Sequence, residues 1–407
     1  MSYKDTALCR VRTVTTFLSL HTDRNNWKQS IVNAANLCRS ISDSFLSASY
    51  TVQSIRIVTN PFGDYLNTES IETAKADLQF INDILKAPDM PKIRIRFAIG
   101  EARTAHELSL LPEMIQEYGD LCNACVNIDT DDAGIMDNTM IQHSARAIDH
   151  IGRITPHGAG NFNFTVNFNC QPLIPYFPAS YCNSDTQPSF VVGLETPDLM
   201  VNVLNQLEPV AQHNEFYQIT YEKLHTALQY HIDKVVAIAR QYDGNSSFRF
   251  AGIDSSAAPS KDCSSLVDVY RLLGVDYFGA SGTVEASSLL TRVFKSINNV
   301  ELVGFSGLML AVTEDQGLAQ GTKKNEFDIR TLLTNSAVCG IGLDTVPIPG
   351  DTPIEKICAL MRDTGTMAYR LNKPLTVRLF PVPGAKAGDM TTFDSDDLCN
   401  CAVMAVL

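Results

Sequence analysis

Phe248-Arg249-Phe250-Ala251-Gly252-Ile253 is a largely apolar run that reads as a buried strand, and Asp254 closes it. Ser255-Ser256-Ala257-Ala258-Pro259 follows, small residues and a proline of the kind that open a helix. Further along, Val338–Leu343, Asp344 and then Thr345–Pro353 repeat the arrangement. Strands apolar on both faces are those that helices cover on both sides of a parallel sheet. Asp254 and Asp344 are then expected on one rim, at the carboxyl ends of their strands, where ligands bind in parallel α/β folds.

The same alternation extends outward to both ends of the chain. The other strand candidates are Val11–Leu20, Val52–Thr59, Ile93–Ile99, Ala124–Ile128, Phe162–Asn169, Ser189–Leu194, Val275–Phe278, Leu302–Val312 and Thr376–Phe380. Between them lie helical patterns. Thr22 or Asp23 can cap the first, where Trp27, Ile31, Ala35, Cys38, Ile41 and Phe45 recur at three- and four-residue spacing. Another helix is expected over Asn214–Tyr242. About ten strands alternating with helices, without a linker, predict a single α/β barrel domain over residues 1–407. The Pro-rich stretch Gln171–Pro188, with Tyr176 within it, reads either as a functional loop or as an insertion packed on the outside.

Composition narrows the function classes. Of 407 residues 45% are apolar and 19% charged, which suits a globular chain, and the net charge is −13. With no run of Lys and Arg to offset it, that charge argues against nucleic acid and anionic membranes as partners. No apolar stretch is long enough to span a bilayer, and Met1–Asp5 lead straight into a strand without a signal-like segment. Eleven scattered cysteines read as reduced thiols, so a cytoplasmic location is expected.

The polar residues just past strand ends form the candidate site: His21, Asn60, Glu101, Asp129, Asp131, Asn169, Glu195, Asp254, Ser255, Ser281, Glu314 and Asp344. Each singly also reads as a helix cap. Together, carboxylates crowded on one rim would have divergent pKa values suited to acid–base work. Glu101, Asp254, Glu285 and Asp344 are the expected acid–base or orienting groups. Asn127, Asn167, Asn169 and Tyr176 are expected to position a substrate, with Ser255 and Ser281 binding its oxyanion or carboxylate. Gly279-Ala280-Ser281-Gly282-Thr283 follows the strand candidate Val275–Phe278 and opens a helix, so it could cradle such a group with its N–H donors. Asp129-Thr130-Asp131-Asp132-Ala133-Gly134 begins like a calcium loop, but Ala133 takes a ligand position and Met140 stands where a closing Glu belongs. Asp129 and Asp131 remain divalent-metal candidates, with a capped helix start as the other reading. Cys122-Asn123-Ala124-Cys125 lacks a partner pair and reads as apolar packing.

From Phe248 onward the residues resemble a known family. Ala251–Pro259, Gly279–Thr283, Gly304-Phe305-Ser306-Gly307, Val312–Gly317, Val338–Thr352, Arg378–Gly384 and Gly388-Asp389-Met390 are similar, in order and spacing, to domain-of-unknown-function family 711. Arg12-Thr13-Val14-Thr15 and Cys125-Val126-Asn127-Ile128 extend the likeness into the first half. The resemblance implies a ten-stranded α/β barrel like that of the pyruvate formate-lyase group. It does not bring radical chemistry, since Asp394–Leu407 has no glycine to carry the spin. The expected protein is a homo-oligomeric enzyme acting on a small polar or carboxylate-bearing metabolite by carboxylate acid–base chemistry at the barrel mouth. No organic cofactor is expected. The alternatives are a divalent-metal hydrolase or lyase and a non-catalytic metabolite-binding regulator.

Overall fold

The computed structural model describes residues 2–207, 215–244 and 247–407. Its centre is a mixed sheet of nine strands: β1 Arg10–Leu18, β2 Ile55–Thr59, β3 Ile95–Glu101, β4 Asn123–Ile128, β5 Phe164–Phe168, β6 Ser189–Glu195, β7 Arg249–Asp254, β8 Gly342–Pro349 and β9 Leu375–Val382. Their order is β7-β6-β1-β2-β3-β4-β5-β9-β8. Strands β1 to β5 are mutually parallel. β6 is antiparallel to β1 with β7 parallel to it, and β9 is antiparallel to β5 with β8 parallel to it. The sheet therefore has two halves that run in opposite directions.

That reversal overturns the expectation of one ligand rim. Carboxyl ends of β1–β5 lie at one end of the sheet and those of β6–β9 at the other, so Glu101 and Asp129 are separated from Asp254 and Ser255.

The expected ten-stranded closed barrel is also corrected. Among the described residues, β7 and β8 are edges that do not pair with each other. The chain from 301 to 312 crosses between them, making one parallel bridge to β7 (Ile253 with Leu302) and one to β8 (Ala311 with Asp344). It is interrupted because Gly304 and Ser306 take positive φ, 63° and 39°, which breaks an extended run. Gly304 also has no room for a side chain, since a Cβ there would overlap Asp254. Val275–Phe278 is a turn between the helices Leu266–Leu272 and Thr283–Lys295, not a strand.

One face of the sheet carries the main core. Val14, Ile55, Ile57, Phe97, Ile99, Val126, Val166, Val377 and Leu379 pack there against the surrounding helices. The first helix, Trp27–Ser47, buries every apolar residue expected of it, and Asp23 caps the turn that leads in. The second long helix is Phe216–Ala239, within the expected span, whose first residue Asn214 lies outside the described residues. All eleven cysteines are free thiols, and nine are buried. No described helix is long and apolar enough to cross a membrane.

The other face is mixed, with buried arginines, threonines and Asn167 beside an apolar cluster of Phe17, Val58, Ala98, Val191 and Ala251, and Gln171–Pro188 covers it. Residues 174–182 are buried there, so the insertion packs inside rather than outside. Its prolines remove N–H donors that burial would leave orphaned, and the carbonyls that remain find donors on the sheet. Pro175 O accepts from Arg56 Nη1 at 3.0 Å, Ala179 O from Asn167 Nδ2 at 3.1 Å, and Phe177 O from Arg378 Nη1 at 3.4 Å. Tyr176 fixes the segment to β6 by its hydroxyl, which pairs with both Leu194 O and Leu194 N at 3.0 Å.

Candidate functional site

Alternation along strands sends every second side chain to the covered face. On four strands that side chain is an arginine: Arg12 on β1, Arg56 on β2, Arg96 on β3 and Arg378 on β9, the last three each between two apolar residues. All four line one cavity together with Glu314, Asp344 and the rings of Phe162, Tyr176 and Phe177.

Two of the arginines are fully engaged. Arg378 donates Nε to Asp344 Oδ1 and Nη2 to Glu314 Oε1, both at 2.6 Å, and Nη1 to the carbonyls of Phe162 and Phe177. Arg12 lies 3.3 Å from Glu195 Oε2 and 3.5 Å from Glu314 Oε2. The other two are not. Arg56 and Arg96 are directly opposite each other in the β2–β3 register, both about 5% exposed. Among the described residues neither Nε has a hydrogen-bond partner. Arg56 otherwise donates to Pro175 O, and the nearest carboxylate to Arg96 is the exposed Asp120 at 3.5 Å. Burial, with Arg96 and Arg12 nearby, drives the Arg56 pKa well below its ordinary value.

Aromatic rings hold the guanidinium faces. Arg56 stacks on Phe177 at 4.9 Å, while Arg96 and Arg378 lie over Phe162 at 5.2 and 5.1 Å. Stacking occupies a guanidinium's face and leaves its edge, with the in-plane donors, for a planar anion.

Asp344 is the acid of this cavity. It lies within β8, not past a strand end, because Val338–Ile341 form a turn and the strand starts only at Gly342. Its Oδ2 has no partner among the described residues. Burial raises its pKa, Arg378 works against that rise, and Glu314 adds to it.

The remaining sequence candidates lie elsewhere. Asp254 is buried with both oxygens occupied: Oδ2 accepts from Phe305 N at 2.8 Å, and Oδ1 from Ser256 N at 3.0 Å and Ser306 N at 3.1 Å. It anchors the crossing segment. Ser255 donates its hydroxyl to Phe294 O at 2.7 Å. Ser281 and Glu285 are exposed on the helical layer, since no strand precedes the glycine turn. Glu101, pushed up in pKa chiefly by burial, sits beside Asn127 at the far end of the sheet. Asn127 Oδ1 accepts from Asn167 Nδ2 at 3.1 Å, and Asn169 reaches Asn372 at 3.2 Å. Asp131 Oδ1 accepts from the amides of Ala133 and Ile135, a turn cap. Asp129 and Asp131 are exposed, and no three His, Cys, Asp or Glu among the described residues group to hold a metal.

A family model described as Uncharacterised ACR (DUF711) matches residues 4–395. The chain belongs to this family. The UPF0210 protein of Pyrobaculum aerophilum is 30% identical over 258 residues, 60% of this chain and 54% of the relative. That of Carboxydothermus hydrogenoformans is 29% identical over 295 residues, covering 70% and 63%. That of a Thermoanaerobacter species is 26% identical over 344 residues, covering 79% and 73%. The matched part of this DUF711 chain thus spans about half the length of the Pyrobaculum relative. Among solved structures, the anaerobic ribonucleotide reductase of Thermotoga maritima with citrate in its active site aligns with 91% of this chain and 81% of that one, at TM-score 0.42 and 9% identity.

The arginines are not residues past carboxyl ends of strands: Arg12, Arg56 and Arg96 lie where β1, β2 and β3 begin, and Arg378 lies inside β9. Their signal was an arginine between two apolar residues in Ile55-Arg56-Ile57, Ile95-Arg96-Phe97 and Val377-Arg378-Leu379, with Arg12 in the more polar run Arg10-Val11-Arg12-Thr13. No local Lys/Arg run exists. The fold makes the cluster.

Proposed function

We propose that the arginine-lined cavity is the active site of an enzyme acting on a small carboxylate-bearing metabolite, with Asp344 as acid–base group. One observation carries this reading: two buried arginines face each other with both Nε donors unpartnered and only the exposed Asp120 beside one of them, in the wall that also holds an acid with a free oxygen. Like charges directly opposite on neighbouring strands destabilise a sheet, and desolvation adds to the cost. A bound carboxylate would offset one of the two positive charges and accept both Nε–H donors. The substrate atom beyond it would then face Asp344, whose unpartnered Oδ2 could take or return a proton. Glu314 and Arg378 would hold Asp344 in place.

The expected ten-stranded barrel enters as the enclosure: with the chain 302–312 counted as an interrupted tenth strand, the covered face becomes an interior. In this reading the protein works in the cytoplasm with its thiols reduced.

The test is a thermal-shift screen of small carboxylic acids against wild type, Arg56→Met and Asp344→Asn. A ligand that binds the native state raises wild-type Tm by mass action. Arg56→Met should lose the shift, whereas Asp344→Asn should keep the shift and lose turnover of that ligand. If no carboxylic acid raises wild-type Tm at millimolar concentration, the reading fails.

A further inference from the structure

A second cavity opens beside the first and shares Arg12, Arg56 and Arg96 with it. It lies where β1, β2 and β3 begin, and its outer wall adds Arg10, Arg94 and Lys261 against Asp262, Asp396 and Asp397. The two buried arginines therefore stand between an inner chamber and an outer one.

We propose that the outer cavity is a second acid-binding subsite, so that the ligand carries two oxyanionic groups, one on Arg56 and Arg96 and the other on Lys261 and Arg94. This rests on the reading of the inner cavity given above. The countercharges of the outer wall divide into two kinds. Arg10 and Arg12 are held by Glu195, itself buried, at 2.9 and 3.3 Å, so they belong to the framework. Arg94 and Lys261 are instead paired with one surface segment. Asp397 takes Arg94 through two bonds of 2.9 and 2.6 Å, and Asp396 stands 4.0 Å from Lys261 with its own side chain fully exposed. The Lys261–Asp396 contact is an exposed ion pair of the kind that contributes little and exchanges readily with another anion, while the bidentate Arg94–Asp397 pair is the firmer of the two. A ligand anchored on Arg56 and Arg96 would present its second acid at high local concentration to these two cations, displacing Asp396 from Lys261 and sharing Arg94 with Asp397. The chemistry fits two carboxylates or a carboxylate and a phosphate.

The experiment measures binding of butyrate, succinate, glutarate, adipate and 3-phosphoglycerate to the full chain by calorimetry. At least one of the four two-acid probes should bind about tenfold or more tighter than butyrate, as expected for an added charged hydrogen bond. Lys261→Ala should bring that probe down to the butyrate level without changing butyrate, and Lys261→Arg should restore it. Asp397→Asn, by releasing Arg94, should tighten the two-acid probe alone. A preference for phosphate over the diacids would identify the second group as a phosphate. If butyrate binds as tightly as every two-acid probe and Lys261→Ala moves neither, the second subsite is refuted while the inner anion site stands. If no probe binds wild type, both fall together.

Discussion

Arg56 on β2 and Arg96 on β3 are direct cross-strand neighbours, buried side by side, and no carboxylate closer than the exposed Asp120 answers their charge among the described residues. The pair is a standing cost to the ligand-free fold, compensated in part by the rings of Phe177 and Phe162. A polypeptide can escape that cost simply by placing an apolar residue there.

Arg56→Met should therefore leave the ligand-free protein at least as stable as wild type. Replacing an uncompensated buried charge by an apolar side chain of similar length is neutral or stabilising by about 1–4 kcal/mol. Urea unfolding of the two proteins without added anion measures it. A loss beyond about 2 kcal/mol would mean that the bond to Pro175 O outweighs the charge.

Arg378 should behave in the opposite way. It satisfies Asp344, Glu314 and two carbonyls at once. Arg378→Ala leaves two acids facing each other in a buried wall and should cost about 3–5 kcal/mol. Asp344 would then hold its proton to higher pH, because the guanidinium that lowers its pKa has gone. The Asp344→Asn background should recover part of the loss, which a double-mutant cycle reads directly.

Asp254 should prove structural. Three backbone amides converge on its carboxylate, and an amide in its place points two donors at donors. Asp254→Asn should cost about 1–3 kcal/mol and loosen residues 304–306, seen as faster amide exchange there. Burial pushes the Asp254 carboxyl up to about 6 from 3.8. With the folded pKa above the unfolded one, the unfolded chain releases this proton first. The group's contribution to stability is thus full below pH 4 and is lost as pH rises to about 6. The difference in stability between wild type and Asp254→Asn should shrink across that window. A flat difference would show that the three amides hold the carboxylate ionised throughout.

Gly193 on β6 should tolerate no side chain. A Cβ there would stand 2.9 Å from the Tyr176 ring, whose hydroxyl is fixed at the neighbouring Leu194. Gly193→Ala should cost about 1–3 kcal/mol by overpacking. It should also lift the 171–188 segment from the covered face, making that segment the first site of limited proteolysis. Retained resistance would mean the ring can shift.

The amino-acid sequence by itself determined the local order of this chain. Apolar runs such as Ile55–Thr59 and Phe164–Phe168 became strands, and the spacing of Trp27, Ile31, Cys38 and Phe45 became a helix, because burial period and propensity act over a few residues. Family motifs were legible for the same reason. Local reading failed where a run such as Leu302–Val312 needed a partner edge on both sides, and where Val275–Phe278 was too short to outweigh its turn. Only the tertiary structure decided which way each strand runs. By reversing β6 to β9 it set Asp344 and Arg378 against Arg12, Arg56 and Arg96 and left Glu101, Asp129 and Asn169 at the other end. Only the tertiary structure, too, turned Gln171–Pro188 inward, since whether a carbonyl-rich, donor-poor segment is buried depends on arginines and an asparagine far from it in the chain. Charge in sequence is a matter of neighbours along the backbone; charge in a cavity is a matter of register between strands, and that is set by long-range pairing.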